Sequence, residues 1–317
     1  MIERPKVVCL VGPTACHKTE SSVQLAKRLN GEIVSADSVA VYRQLNIGSA
    51  KPTLEERQGV LHHMIDVADV WDTDYSVSRF RSEARTAVDG ILVRGKLPIV
   101  VGGSGLYSDA IFADFSFSVP SDPDLRARLE REYAACPEAV FERLRSADPV
   151  AAARLHIRDA KRVVRALEVC ILSGRPFSEQ NNRFAKVQEG EGTYDVFRIG
   201  LTMDRERLYQ RIGQRVDSMF RQGLRDEAYD LFSRGWVPER YPAMQSIGYA
   251  QLYEAYCDRC SPEEASAAIK LATRHFAKRQ LTWFRRNPKT EWYCCDNYKN
   301  TEELISSLEG AITGKYE

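Results

Sequence analysis

Three short apolar runs, residues 7–11, 32–36 and 97–101, stand out along the first third of the chain. They show no alternation of apolar and polar positions, which suits strands buried on both faces. Each leads through a loop toward sequence with helical spacing, as at 21–29 and 76–93. Strand and amphipathic helix in alternation predict a doubly wound α/β core with a parallel sheet. From about Asp122 the texture changes. Stretches 125–135, 139–147, 150–155 and 160–173 all carry helical periodicity, with Asp159 placed to cap the last and Ser173-Gly174-Arg175-Pro176 placed to stop it. A polar stretch at 179–192 reads as a loop, and the β-rich run 194–201 reads as the chain returning to the sheet. The remainder is helical again, over 205–234 and 262–284. The expected organisation is therefore an α/β core from 1–116, an inserted helical subdomain over 117–192, and completion of the core with helical C-terminal sequence over 193–317.

Composition narrows the class without choosing a function. The 317 residues are 44% hydrophobic and 28% charged, with a net charge of +1, values of a soluble globular protein. No run is long and apolar enough for a membrane span or a typical export signal, so a cytoplasmic protein with no membrane partner is expected. Eight cysteines in such a chain read as reduced thiols. Cys9 and Cys170 lie in apolar runs and suit core packing. Cys257 and Cys260 have metal-like spacing, but the neighbouring pair Cys294-Cys295 is a poor tetrahedral set and no histidine pair has finger spacing, so no zinc is expected.

The strongest local signal follows the first run: Gly12-Pro13-Thr14-Ala15-Cys16-His17-Lys18-Thr19, between a predicted strand and a predicted helix. A P-loop needs that context. It wraps backbone N–H groups around an anion at the positive end of a helix. Lys18 supplies a point charge, and Thr19 a hydroxyl for Mg²⁺ or phosphate. His17 stands where the pattern carries glycine, and either weakens anion binding or adds a donor. The second run ends in Ser35-Ala36-Asp37-Ser38, at the sheet edge where open α/β folds bind ligands. Asp37 there suits a proton acceptor or metal ligand, and equally a turn or helix cap. The third run ends in Val101-Gly102-Gly103-Ser104-Gly105, with no acidic residue to organise Mg²⁺ as a motor or switch ATPase requires.

Read in order, these segments resemble the tRNA dimethylallyltransferase family. The resemblance is carried by Gly12 to Ala15, Ser35 to Ser38, Val41-Tyr42-Arg43, Ile47-Gly48-Ser49-Ala50-Lys51-Pro52-Thr53, His62-His63-Met64-Ile65-Asp66 and Val101 to Tyr107. It continues through Lys161-Arg162-Val163-Val164-Arg165-Ala166-Leu167-Glu168, Ser246-Ile247-Gly248-Tyr249 and Thr273-Arg274-His275-Phe276-Ala277-Lys278-Arg279-Gln280. It implies a P-loop nucleoside-triphosphate-hydrolase-like core that holds the pyrophosphate of dimethylallyl diphosphate rather than ATP. The exocyclic N6 of an adenine beside the tRNA anticodon attacks the prenyl carbon. In that reading Asp37 is the general base, Thr14, Lys18 and Thr19 stabilise the departing pyrophosphate with Mg²⁺, and Ser104 places a hydroxyl near the acceptor adenine. The same resemblance implies tRNA contacts from Asp37, Ser38, Val39 and Ala40, from Arg126, from Lys161, Arg162, Val163, Val164 and Arg165, and from Gln245, Ser246, Ile247, Gly248, Tyr249 and Ala250. It also implies a monomer.

Two basic clusters bear on this reading. Arg207, Arg211 and Arg215 recur every four residues and share a helical face with Arg205 nearby. They suit a phosphate clamp, with Arg211 and Arg215 the chosen pair, or a solvated face paired with Asp204, Glu206 and Asp217. Between 265 and 290 there is no acidic residue, and Lys270, Arg274, Lys278, Arg285 and Lys289 form a one-signed stripe suited to a nucleic-acid backbone. Ile269, Phe276 and Trp283 are expected to face the core. Two other function classes fit part of this pattern: a P-loop small-molecule kinase, and a tRNA-binding relative disabled at His17.

Overall fold

The computed structural model describes residues 4–112, 119, 121–179 and 192–316. Six strands form one parallel sheet: β1 (Lys6–Val11), β2 (Gly31–Ser35), β3 (His62–His63), β4 (Leu97–Gly102), β5 (Asp195–Thr202) and β6 (Glu291–Cys294), in the order β3-β2-β4-β1-β5-β6. β1 lies in the middle, with Val8 opposite Ile99 of β4 and Phe197 of β5. Its side chains alternate between two apolar cores. Val7, Cys9 and Val11 join the cluster containing Phe80, Ile111 and Phe284. Val8 and Leu10 join the one containing Leu25, Leu208, Ile212 and Leu308. Burial on both faces is the reason the strand reads as an unbroken apolar run. The edge strands β3 and β6 lack such a run and are additions to the four strands expected from the pattern.

The chain forms two compact units, one of residues 1–112 with 193–317 and one of residues 113–192. In the first, α1 (Lys18–Arg28), α3 (Val77–Val93) and α4 (Gly105–Phe112) accompany the sheet, with a single turn α2 (Leu54–Arg57). The predicted helix over 205–234 is two helices, α9 (Arg205–Arg221) and α10 (Leu224–Ser233). Gly223 at φ 96° turns the chain between them, a conformation nearly free for glycine only. After α11 (Tyr249–Tyr256) comes the long α12 (Pro262–Phe284), started by a Ser261–Glu264 capping box with Pro262 in the first turn. A final helix, α13 (Thr301–Tyr316), buries Leu304, Ile305, Leu308 and Ile312.

The second unit holds α5 (Pro123–Ala135), α6 (Pro137–Ala147), α7 (Pro149–Arg154) and α8 (Ala160–Ser173) around Leu129, Leu144, Val163, Val164 and Leu167. Asp159 caps α8, and Gly174 ends it in the left-handed conformation. Glu168 is fully buried yet takes bonds from Arg126, Arg165 and the backbone N–H of Asp122. These partners outweigh the desolvation of the carboxyl and hold it below its ordinary range. Most of the polar stretch expected as a loop at 179–192 lies outside the described residues.

Candidate active site

Between the end of β1 and the start of α1, residues 12–17 form a turn. Ala15 and His17 both take left-handed backbone angles, φ 65° and 53°. His17 is the N-cap residue of α1, which explains why the pattern carries glycine there: a side chain in this conformation costs about 1–2 kcal/mol. The imidazole turns toward Glu20, Nδ1 to Oε2 3.2 Å. Thr14 lines the cavity, and its backbone N–H donates to Gln280 Oε1 at 2.9 Å.

Three cations face this turn. Lys18 leads α1 and donates to the loop's own Pro13 carbonyl at 2.6 Å. Burial lowers its pKa to about 8, with Arg215 adding to the effect and Cys16 and Asp37 opposing it. Arg211 on α9 donates from Nε to the Ala15 carbonyl at 2.9 Å. One turn further, Arg215 makes no hydrogen bond or ion pair among the described residues, and burial pushes its pKa down. None of the three pairs with a carboxylate among the described residues. A half-buried cluster of cations without ion pairs among the described residues, at a helix N-terminus, suits an anion. Thr19 also faces it from the first turn of α1. Two further arginines of that helix are engaged elsewhere, Arg207 on Asp296 at 2.7 Å and Arg205 over the Tyr209 ring.

Asp37 follows β2 at the carboxyl end of the sheet. Its Oδ1 accepts from the backbone N–H groups of Val39 (2.8 Å) and Ala40 (3.2 Å), and its Oδ2 takes no hydrogen bond among the described residues. The turn-capping reading of this residue is thus met by one oxygen, which leaves the other without a hydrogen bond among the described residues. Ser104, after β4, accepts from the Ser38 N–H at 3.0 Å and lies 3.0 Å from the Ser38 hydroxyl. The β4 loop is joined to the P-loop by Gln280 of α12, whose Nε2 donates to the Gly103 carbonyl at 2.9 Å. A Cβ on Gly103 would stand 2.3 Å from that nitrogen, so glycine is needed for the contact. Trp283 secures the same helix end to α4 through Asp109 at 2.7 Å.

Thr14, Lys18, Asp37, Ser104, Arg215 and Gln280 line one cavity of about 420 Å³, and Arg211 lines a second of about 900 Å³ that shares Lys18, Thr19 and Arg215 with it. Thr14, Lys18, Thr19 and Arg215 supply its cationic and hydroxyl end, while Val39, Ile65, Ile212, Val216, Met219 and Phe276 supply apolar wall. Ser38, Val39, Ala40, Ser104, Gln245, Ser246, Ile247 and Gly248 also line it. Tyr249, expected at the RNA surface, is fully buried and donates to Glu227 at 2.6 Å. Glu227 in turn takes the backbone N–H groups of Ile47 and Gly48. Tyr249 thus braces the cavity wall from behind, and Ala250 follows it on the same helix. Val163 and Val164 are likewise inside, in the helical unit's core, so of that run only Lys161, Arg162 and Arg165 carry polar groups outward. The charges of Arg165 and Arg126 are spent largely on Glu168.

The basic stripe is shorter than its spacing implies. Lys270 pairs with Asp217 at 2.5 Å, and Arg274 lies over the Tyr209 ring with its Nε buried and unbonded. α12 ends at Phe284, so Arg285 and Lys289 leave the helical face. Lys278 stays exposed beside Arg279, which reaches the cavity. Phe276, expected in the core, is half-buried in the cavity wall instead. Arg279, Gln280 and Glu227 are the residues to which sequence patterns assigned no site role.

The chain matches the IPP transferase family over residues 40–287. It is 40% identical over 313 residues to a tRNA dimethylallyltransferase of Pelotomaculum thermopropionicum, covering 98% of each chain. It is 42% identical over 317 residues to one of Bacillus cereus, covering 99% of this chain and 98% of that one. Among solved structures, a full-length tRNA isopentenylpyrophosphate transferase of Bacillus halodurans is 40% identical, with a TM-score of 0.73 over 98% of this chain and 97% of that one. A eukaryotic dimethylallyltransferase acting on tRNA is 27% identical, with a TM-score of 0.81 over 98% of this chain and 80% of that one. With a parallel sheet, a P-loop turn and an acidic residue lining the same cavity, and with these relatives over nearly its whole length, this chain belongs to the IPP transferase family.

Proposed function

We propose that this protein transfers the dimethylallyl group of dimethylallyl diphosphate to N6 of the adenine 3′ to the anticodon in tRNA, releasing pyrophosphate. The observation that carries the reading is the cavity itself: a cationic end and a carboxylate oxygen, neither paired among the described residues, and an apolar wall. Lys18, Arg211 and Arg215 hold the diphosphate and take up the charge that develops as the carbon–oxygen bond breaks. The apolar wall accepts the five-carbon group and keeps water from the reacting carbon. Asp37 Oδ2 accepts the N6 proton as nitrogen bonds to that carbon. The Ser104 hydroxyl, held by Ser38, lies on the acceptor side.

Mg²⁺ fits this site only together with its ligand. The described residues contain no cluster of three or more His, Cys, Asp or Glu suited to a metal, whereas Mg²⁺ is commonly held by substrate phosphates and one or two protein oxygens. Thr19 and Asp37 are the side chains that would complete its shell, and the ion would neutralise diphosphate charge.

A tRNA partner requires the target base to leave its stack and enter the cavity. Ser38 to Ala40 and Gln245 to Gly248 form the wall it would meet, and Lys278, Arg279, Lys161 and Arg162 offer exposed cations for the backbone. The test is incubation with labelled dimethylallyl diphosphate, Mg²⁺ and tRNA. Label in the RNA, recovered as N6-isopentenyladenosine, is expected. Tight tRNA binding without label would point to a non-catalytic binder, and phosphoryl transfer from ATP to a small acceptor would point to a kinase.

A further inference from the structure

Cys16, inside the phosphate loop, has its sulfur 3.6 Å from that of Cys295, in the turn after β6 and 279 residues away. The neighbouring Cys294 is directed elsewhere, 3.8 Å from Asp296 Oδ2. We propose that Cys16 and Cys295 are a reversible disulfide site, and that closing the bond unseats the diphosphate.

Disulfide formation needs the sulfurs to approach by about 1.5 Å, to a bond of about 2.05 Å. Rotation about the two Cα–Cβ bonds supplies part of that movement, and the backbone the rest. Cys16 has almost no exposed surface but lines a second cavity of about 900 Å³ with His17, Lys18 and Arg211. Cys295 is partly exposed, so a small oxidant reaches the pair. Cys295 is the sulfur to react first: the Cys16 thiol bonded to it and the Arg211 guanidinium nearby both hold its pKa below the ordinary thiol value.

With hydrogen peroxide as oxidant, the Cys295 thiolate attacks one oxygen, the O–O bond breaks, and the products are a sulfenic acid and hydroxide. The Cys16 sulfur then attacks the Cys295 sulfur. The new S–S bond forms as the sulfenic oxygen leaves with the Cys16 proton as water. Two electrons pass from the thiols to peroxide, and a dithiol reductant returns them.

Both ends are anchored, so the loop must yield. Next to Cys295, Asp296 accepts from the Asp204 N–H at 2.5 Å and from Arg207 at 2.7 Å. On the other side, Ala15 and His17 flank Cys16 in left-handed conformations, and Arg211 holds the Ala15 carbonyl. Drawing Cys16 toward Cys295 moves the very backbone amides proposed to hold the anion. This consequence rests on reading the loop as the diphosphate seat; the disulfide itself does not.

The test treats the full chain with hydrogen peroxide, blocks free thiols, and digests it with trypsin without reduction. The expected product joins the peptide of residues 7–18 to that of 290–299, with fragment ions placing the bond at Cys16 and Cys295 rather than at Cys9 or Cys294. Affinity for dimethylallyl diphosphate should fall on the order of tenfold or more, a loss of about 1.4 kcal/mol or more, and return with dithiothreitol. Cys295→Ser should bind normally and ignore peroxide. A bond to Cys9 or Cys294, or none with Cys295 over-oxidised, overturns the thiol pairing. A Cys16–Cys295 bond with unchanged affinity overturns its regulatory consequence. Reduced protein that binds no diphosphate sinks the reading of the seat, and the cross-link alone then decides the pairing.

Discussion

Gln280 offers a sharp test of how the site is held. Its side chain is 4% exposed and makes two bonds of 2.9 Å, accepting from Thr14 N–H and donating to Gly103 C=O. Gln280→Leu keeps the approximate volume and removes both. Each abandoned backbone group costs about 1–3 kcal/mol if it stays dry. Gly103 is buried and bears that in full, whereas Thr14 borders the cavity and can be rehydrated. A loss of roughly 2–4 kcal/mol in unfolding free energy follows. The P-loop also loses its tie to the β4 loop, so donor affinity should weaken while tRNA affinity changes little. Gln280→Glu separates the two bonds. Its carboxylate can still accept from Thr14 but faces the Gly103 carbonyl without a hydrogen. Protonated, it donates again, so its stability relative to the parent should improve as pH falls. Urea unfolding and donor titration measure both effects. A Gln280→Leu variant within about 0.5 kcal/mol of the parent, with unchanged donor affinity, would refute the bridging role.

Three further outcomes are expected. Lys18 has its pKa lowered to about 8, and a bound diphosphate favours the charged form, so binding above pH 8 should take up a proton and weaken as pH rises. Calorimetry of a non-reactive dimethylallyl diphosphate analogue in buffers of different ionisation enthalpy reads that uptake, and none at pH 9 would contradict the placement of Lys18. His17→Gly should leave donor affinity within about tenfold of the parent, since the change concerns about 1–2 kcal/mol of backbone strain and not a ligand contact; a larger loss would mean the imidazole binds the donor. Affinity for tRNA should fall with salt at a log–log slope of roughly −3, as for about four phosphate contacts to single-stranded RNA, and a flat response would exclude Lys278 and Arg279 as backbone contacts.

The elements legible in the sequence are those whose signal is local. β1, β2 and β4 are buried on both faces and read as apolar runs, β5 reads as a β-rich one, and α8 carries its own cap and stop. β3 and β6 are short edge strands of two and four residues with no apolar run to mark them. The helix over 205–234 has continuous periodicity, but Gly223 turns the chain where periodicity carries no warning. Lys18 and Asp37 could be placed because each follows a strand at the ligand-binding edge. Gln280 and the Cys16–Cys295 pair could not, because their partners lie 266 and 279 residues away. The basic stripe misled for the same reason: Asp217 and Tyr209, which engage Lys270 and Arg274, come from a different helix. Tyr249, Val163 and Val164 sit within motifs whose side chains divide between a surface and a core, and a motif does not say which residue faces which way.

One cavity is proposed to hold both a diphosphate, at its cationic end, and a proton acceptor, Asp37. Asp37→Asn retains the Oδ1 that accepts from Val39 and Ala40 and so keeps the turn, but its amide cannot take the N6 proton. The decisive measurement is single-turnover transfer of labelled dimethylallyl to tRNA by the parent and by Asp37→Asn, with both affinities measured alongside. The account predicts transfer by the parent, at least about a hundredfold slower transfer by the variant, and tRNA and donor binding close to parental. Equal rates, or a loss explained wholly by weaker binding, would contradict it.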